Sequence, residues 1–141
     1  MTREPATVVA YWDASAVVAA LFNDPRSDEA RELAAARGAH LLSSLAWAET
    51  HAVIARVERE HGLTGALAEA ARDALEAGPW RRVNVAPPWS LVRSLAQTWP
   101  LRGADLWHLS AAKAMQADLP ELQFVTFDAR LSAAAHGEGL R

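Results

Sequence analysis

One stretch near the amino terminus, from Val8 to Val18, constrains the fold of this chain more than any other. It begins with apolar, β-branched and aromatic residues through Trp12, which is typical of a strand buried on both faces. Asp13 follows directly, and the alanine-rich run after it has the character of a helix. Because open α/β sheets place their ligands at the carboxyl ends of parallel strands, Asp13 is predicted to lie at a functional edge.

The same order of strand, aspartate and helix returns near the carboxyl terminus. There the predicted strand Phe124-Val125-Thr126-Phe127 runs into Asp128, and another alanine-rich segment follows. Two such junctions in one short chain predict that the carboxylates of Asp13 and Asp128 meet at one edge of one sheet.

Four short apolar segments alternate with segments of helical periodicity. We predict strands at residues 8–12, 39–42, 81–85 and 124–127, with helices between them. This alternation predicts an α/β fold, with a central, mainly parallel sheet that helices cover on both faces. A chain of 141 residues suffices for one such core, so a single domain over residues 1–141 is expected.

Local signals predict several helix boundaries. Asp24 suits the N-cap of a second helix, with Pro25 at its first helical position. Ser43 or Ser44 suits the N-cap of the next helix, and Thr64 suits that of the helix after it. The helix after Thr64 has the periodicity of one buried face, which is made of Leu67, Ala70, Ala71, Ala74 and Leu75.

Composition narrows the function and the compartment. The chain has no cysteine and a formal net charge of −3, which excludes thiolate zinc sites and does not indicate a generally basic nucleic-acid binder. No apolar run approaches the ~20 residues that span a bilayer, and the first residues lack the layout of a signal peptide. We therefore expect a cytoplasmic protein with no membrane partner.

Four acids stand out because apolar residues surround them: Asp13, Glu49, Asp105 and Asp128. Asp13 and Asp128 could simply cap the helices that follow them, and Asp105 could be a first-turn acid favoured by the helix dipole. Glu49 lies beyond the first turn of its helix, where neither explanation applies. It could still face solvent or pair with Arg56, so each acid alone has an ordinary structural explanation.

If the four acids converge, their repulsion raises the pKa of at least one of them unless a cation shares the site. Ligands that are all oxygen favour Mg²⁺ or Mn²⁺, and we expect the carboxylate oxygens to lie within metal-bridging reach. Such a cation can activate water and neutralise the charge that develops on a phosphodiester. The chain lacks a phosphate-binding glycine loop, a His-Glu-x-x-His motif and a nucleophile elbow, so other chemistries are less well supported.

Aromatic and histidine residues next to the acids leave alternatives open. Trp12, Trp47 and Trp107 each lie within two residues of a candidate ligand. Core packing explains them more readily than stacking on bases. His108 follows Asp105 by three residues and either supports the site or is a core histidine with satisfied hydrogen bonds.

Taken together, the motifs around the four acids resemble those of PIN-domain ribonucleases. The first is Asp13-Ala-Ser-Ala-Val-Val, and the second is Ser-Ser-Leu-Ala-Trp-Ala-Glu49. The third is Leu-Arg-Gly-Ala-Asp105-Leu-Trp-His-Leu-Ser-Ala-Ala, and the fourth is Phe-Val-Thr-Phe-Asp128-Ala-Arg-Leu-Ser. The resemblance covers nearly the whole chain, with the motifs in the family's order, and the size and layout are similar to VapC-type toxins.

This resemblance implies an α/β/α sandwich, Mg²⁺ or Mn²⁺ held by Asp13, Glu49, Asp105 and Asp128, and endonucleolytic cleavage of RNA. It also implies a VapB-type antitoxin as partner, and a homodimer. Ser15 and Thr126 match hydroxyl positions near the site in the family.

Further expectations concern the substrate and the partner. Arg102 and Arg130 flank two of the acids and are hypothetical phosphate contacts, although both could be ordinary surface arginines. The alanine-rich helices between about Pro25 and Gly78 are expected to leave an apolar groove for a partner helix. The alternative function is a non-catalytic module of the same fold that binds RNA or a protein.

Overall fold

The computed structural model describes residues 7–141, in which four strands form one parallel sheet. The strands are β1 (Val8–Trp12), β2 (Gly38–Ser43), β3 (Trp80–Val83) and β4 (Gln123–Val125), and their order across the sheet is β3-β2-β1-β4. The helices are α1 (Ala14–Leu21), α2 (Ser27–Ala35), α3 (Ser44–Arg59), α4 (Gly65–Ala77), α5 (Trp89–Thr98), α6 (Gly103–Asp118) and α7 (Ala129–Gly137).

Strand β1 lies inside the sheet and positions the first acid. Its last residue, Trp12, is in register with Leu42 of β2 and Val125 of β4. The backbone N–H of Asp13 continues the ladder by donating to the carbonyl of Val125 at 3.1 Å. The carboxyl ends of three neighbouring strands therefore finish together beside Asp13.

Two apolar clusters pack on opposite faces of the sheet, because successive side chains of β1 point in opposite directions. Tyr11 belongs to one cluster, with core residues contributed by α5, α6 and α7. Ala10 and Trp12 belong to the other, with core residues contributed by α1, α2, α3 and α4. This three-layer α/β/α sandwich confirms the predicted fold class.

Local signals located some helix starts correctly and one incorrectly. Ser43 and Thr64 do cap α3 and α4, since their hydroxyls accept from the backbone N–H groups of Ala46 and Leu67. Asp24 does not cap α2, which begins only at Ser27. The Asp24 carboxylate instead accepts from the N–H of Arg26 at 2.7 Å and stabilises a turn before the helix.

Two other expectations need correction. The fourth strand was predicted to reach Phe127 but ends at Val125, so that Thr126 and Phe127 form the turn before Asp128. The predicted buried face of α4 was wrong at Leu67, Ala70 and Ala74, which are exposed, Leu67 by 57% of its surface, while Ala71 and Leu75 are buried as expected. Within residues 7–141, no helix has both the length and the apolar character needed to cross a membrane.

Candidate metal centre at the carboxyl edge of the sheet

Asp13 lies at the centre of the sheet's carboxyl edge and is 3% exposed. Its Oδ1 accepts from Ser15 Oγ at 2.7 Å and from the backbone N–H of Ala16 at 3.1 Å, while its Oδ2 accepts from Thr126 Oγ1 at 2.6 Å. Burial raises the pKa of the Asp13 carboxyl, and these hydrogen bonds oppose that rise. Asp13 therefore does cap α1, as one alternative held, but it is also a buried acid held in a fixed orientation.

Two hydroxyl groups join this junction to the second one. Thr126 Oγ1 also accepts from the backbone N–H of Asp128 at 3.1 Å, and Ser15 Oγ accepts from the N–H of Phe127 at 3.1 Å. Asp128 caps α7 by accepting from the N–H of Leu131 at 2.9 Å. Ser15 and Thr126 thus connect the β1–α1 turn to the β4–α7 turn, and they bring Asp13 and Asp128 to one site.

Glu49 reaches the same region from α3, with its side chain 31% exposed. Its Oε1 lies 2.6 Å from Nε2 of His108, a residue of α6. The pairing with Arg56 that the sequence left open is absent from the ion pairs of the described residues, and the partly exposed Glu49 side chain contacts His108 instead.

Asp105 stands in the first turn of α6 and shows that the acids share one electrostatic environment. Desolvation raises the pKa of its carboxyl, and the negative charges of Asp128, Asp13 and, more weakly, Glu49 raise it further. The proximity of His108 acts in the opposite direction and lowers the pKa of Asp105. Four acids from four separate elements therefore repel one another at the carboxyl edge of the sheet.

The donor set fits a hard divalent cation in its chemistry, since it consists of carboxylates with hydroxyls behind them. Within residues 7–141, no ion pair involves Asp13, Asp105 or Asp128, so no side-chain cation pairs with their charge. The metal-bridging spacing that we predicted is not present, because no three acids or histidines of the described chain stand close enough to enclose an ion.

A pocket of about 340 Å³ opens beside two of the acids. Asp105 and Asp128 line it together with Arg102 and Arg130, and Pro100 and Leu101 complete its wall. Both arginines are exposed, and neither takes part in an ion pair of residues 7–141. The pocket thus offers guanidinium groups next to carboxylates.

The tryptophans near the acids differ in their surroundings. Trp12 is fully buried and donates through Nε1 to His40 Nδ1 at 3.0 Å, so it is a core residue and cannot stack on a base. The guanidinium carbon of Arg82 lies over the Trp47 ring, 4.7 Å from the ring centroid. Trp107 contacts the His108 ring edge-on at a centroid distance of 5.6 Å.

We expect Asp105→Asn to stabilise the metal-free protein at neutral pH. A carboxyl whose folded-state pKa is raised favours folding below its unfolded pKa, and that stability is lost as the pH rises through the folded-state pKa. Asparagine has no carboxyl to ionise, so the variant does not lose this stability at neutral pH. Its melting temperature should therefore be higher than that of the wild type by roughly 2 °C at pH 7, a small effect because the site is partly exposed. The gain should vanish as the pH falls toward 3.8, the ordinary value for aspartate.

Thermal unfolding in chelator at a series of pH values measures this effect. Asp73→Asn, which neutralises an exposed acid on α4, is the matched control and should change little. An Asp105→Asn variant that is less stable than the wild type at pH 7 would contradict the mutual repulsion of the acids.

The fold and the site together define a class of protein. It is an α/β/α sandwich with an acidic site at the carboxyl edge of its parallel sheet. The PIN domain family model matches residues 10–137, and the chain belongs to this family, within its VapC-type ribonuclease toxins. The chain is 36% identical over 136 residues to ribonuclease VapC45 of Mycobacterium tuberculosis strain CDC 1551 / Oshkosh and, equally, to ribonuclease VapC49 of strain ATCC 25618 / H37Rv. Each alignment covers 93% of this chain and 92% of the relative.

A solved structure shows the same fold. It is the crystal structure of Mycobacterium tuberculosis VapC20, described as a toxin that cleaves the sarcin-ricin loop. The superposition has a TM-score of 0.59 with 19% identity, and it covers 89% of this chain and 94% of VapC20. At this level of sequence identity, the similarity shows a shared fold and nothing more.

Proposed function

We propose that this protein is an endoribonuclease that depends on Mg²⁺ or Mn²⁺, cleaves RNA phosphodiesters with water as the nucleophile, and is the toxin of a VapBC-type pair. The observation that carries the proposal is the placement of Asp13 and Asp128 at one edge of the sheet, joined through Ser15 and Thr126, with no side-chain cation of residues 7–141 paired to Asp13, Asp105 or Asp128. The raised pKa of Asp105, which the charges of Asp128, Asp13 and Glu49 increase, agrees with this placement. A cluster of this kind is costly unless a cation shares it, which indicates function more than stability.

Asp13, Glu49, Asp105 and Asp128 are the residues that would hold the cation. When bound, Mg²⁺ or Mn²⁺ supplies activation of water and neutralisation of the charge that develops on the phosphodiester. Ser15 and Thr126 orient the Asp13 carboxylate through their hydrogen bonds at 2.7 and 2.6 Å. The burial of Asp13 excludes bulk water from that side and strengthens its interaction with any positive charge.

Arg102 and Arg130 would bind RNA phosphates from the pocket that they share with Asp105 and Asp128. A guanidinium donates two parallel hydrogen bonds to a phosphate, so it fixes the orientation of the group as well as neutralising it. This arrangement lets a chain with a net charge of −3 bind a polyanion through local contacts.

The partner would be a VapB-type antitoxin that docks on the α3–α4 side. A second pocket, of about 440 Å³, is lined mainly by apolar residues that include Leu21, Phe22, Leu63 and Leu67. Such a groove suits one face of an amphipathic helix. An arginine carried by the antitoxin could then compete with the cation for the four acids. We also propose that residues 1–141 form one domain, that the protein is a homodimer, and that it acts in the cytoplasm.

RNA cleavage with and without a chelator tests the proposal. Purified protein should cleave single-stranded RNA in Mg²⁺ or Mn²⁺, stop in EDTA, and resume when the cation is restored in excess. Cleavage that continues in EDTA would overturn the metal dependence. No cleavage of any RNA with either cation, by a protein shown to be folded, would favour the non-catalytic module.

Replacing both Arg102 and Arg130 with Gln should weaken RNA binding in a way that depends on salt. Each phosphate contact to a single strand contributes about 0.7 to the slope of log affinity against log salt concentration, so the loss of two should lower the slope by about 1.4. Binding isotherms at several salt concentrations, with Ca²⁺ in place of Mg²⁺, measure the change.

The control for this pair is the double substitution of Arg37 and Arg59 with Gln. Both arginines are exposed, and Arg37 precedes β2 at the opposite edge of the sheet. The control should leave the slope unchanged. Equal slopes for the wild type and the Arg102/Arg130 variant would mean that these arginines are ordinary surface residues.

A further inference from the structure

His108 is buried in α6, with 1% of its surface exposed, and both of its ring nitrogens have partners. Nδ1 lies 2.5 Å from Oη of Tyr11, and Nε2 lies 2.6 Å from Oε1 of Glu49. An ionised carboxylate only accepts hydrogen bonds, so the proton between His108 and Glu49 belongs to Nε2. The imidazole therefore donates to Glu49 on one side and is held by a phenol on the other.

Tyr11 provides a rigid anchor for this ring. It is a fully buried residue of β1, and its Oη also lies 3.3 Å from Oγ of Ser43, the N-cap of α3. The Tyr11 and His108 rings meet edge-on, with their centroids 5.7 Å apart. Since both rings are enclosed in the core, the direction of the Nε2–H bond is fixed by packing.

The orientation of the Glu49 carboxylate depends on a single contact, unlike that of Asp13. Asp13 is held by three hydrogen bonds and Asp128 by the N-cap of α7. Glu49 has a longer side chain that is one-third exposed, and within residues 7–141 its one hydrogen bond is the bond from His108. Without that bond the carboxylate is free to move among several rotamers.

We propose that His108, anchored by Tyr11, is the positioning residue that holds the Glu49 carboxylate in place for a divalent cation. This inference rests on the proposed function, since it assumes that Glu49 helps to hold a divalent ion. Groups that orient a metal ligand by a hydrogen bond change metal affinity by about 10- to 100-fold when they are removed. We take the lower end of this range, because Glu49 is one of four candidate ligands.

Mn²⁺ titration of the metal-free protein, followed by electron paramagnetic resonance and calorimetry, measures this effect without reference to activity. His108→Met keeps the bulk of the side chain and removes the donor, so Mn²⁺ affinity should fall about tenfold. His108→Gln places an amide N–H near the position of Nε2 and should recover affinity to within about threefold of the wild type. Tyr11→Phe, which removes only the anchoring hydroxyl, should give an intermediate loss.

A double-mutant cycle separates positioning from a general effect on the core. Glu49→Gln alone should weaken Mn²⁺ binding, and adding His108→Met to it should weaken binding no further. The control is His40→Gln, which removes another buried imidazole, one that contacts Trp12 and the carbonyl of Ala36 on the opposite face of the sheet. It should leave Mn²⁺ affinity unchanged in a protein that circular dichroism shows to be folded.

The outcomes are distinguishable. If the wild type and Glu49→Gln bind Mn²⁺ equally, Glu49 is not a ligand, and both the proposed metal site and the positioning role fail. If Glu49→Gln binds Mn²⁺ weakly while folded His108→Met and Tyr11→Phe bind it like the wild type, the metal site stands and the positioning role is overturned. An equal loss from His108→Met with and without Glu49 would also overturn it.

Discussion

Asp13→Asn is expected to abolish RNA cleavage while the protein remains folded. The substitution removes the buried negative charge at the centre of the four acids, and we expect activity to fall by at least about a hundredfold, the upper range for losing a group that only supports a ligand. Asparagine is also a good N-cap, so Oδ1 can still accept from the N–H of Ala16, and α1 should remain in place. Cleavage assays and circular dichroism on the same preparation measure both parts.

Asp28→Asn is the matched control, because Asp28 is an exposed acid in the first turn of α2. Its activity should equal that of the wild type. If Asp13→Asn cleaved RNA as fast as the wild type, the activity would come from another site or another nuclease. If the variant unfolded, the main role of Asp13 would be to cap α1.

Leu67→Asp is expected to release the enzyme from inhibition by a VapB-type antitoxin while leaving cleavage intact. Leu67 is 57% exposed and lines the apolar pocket between α1, α3 and α4. A charge placed there would be buried without a partner when an apolar helix docks. A central interface residue of this kind contributes about 2 kcal/mol or more, which corresponds to a loss of affinity of about 30-fold.

Ala66→Asp, in the same turn of α4, adds the same charge at an exposed position outside the pocket and serves as the control. Titrating each variant with the antitoxin in the cleavage assay compares the antitoxin concentrations that are needed to inhibit cleavage. Tight inhibition of Leu67→Asp would show that the partner binds elsewhere, and the nuclease assignment would still stand.

Much of the fold follows from local sequence. The apolar run before Asp13 is a strand because its residues suit a surface buried on both faces, and Ser43 and Thr64 cap helices through their own hydroxyls. Such features depend on neighbours within a few residues, which the sequence displays directly.

Features that depend on distant contacts were predicted less well. The strand β4 stops at Val125 because the hydroxyl of Thr126 bonds to Asp13 and to the N–H of Asp128. Asp24 stabilises a turn because the hydroxyl of Ser27 bonds to its N–H and to the carbonyl of Phe22, which delays the start of α2.

The candidate site shows the same division. The four acids were chosen as candidates because each stands among apolar residues in a motif, whereas the sequence did not indicate the observed partner of Glu49. Arg56, two turns along the same helix, was the local candidate, whereas the observed partner is His108, which lies 59 residues away. Tyr11 gave no signal at all, because an aromatic residue in a buried strand is indistinguishable from ordinary core until α6 is packed against it.

The central claim, that four acids at the sheet edge hold one cation site, is tested most directly by diffraction from crystals grown with Mn²⁺. Anomalous data collected at the manganese edge should show a peak between Asp13 and Asp105, with carboxylate oxygens at about 2–2.6 Å from it. Asp13→Asn crystals prepared in the same way should show the peak reduced or lost. A manganese peak remote from these acids, or an equal peak in the Asp13→Asn crystals, would contradict the account.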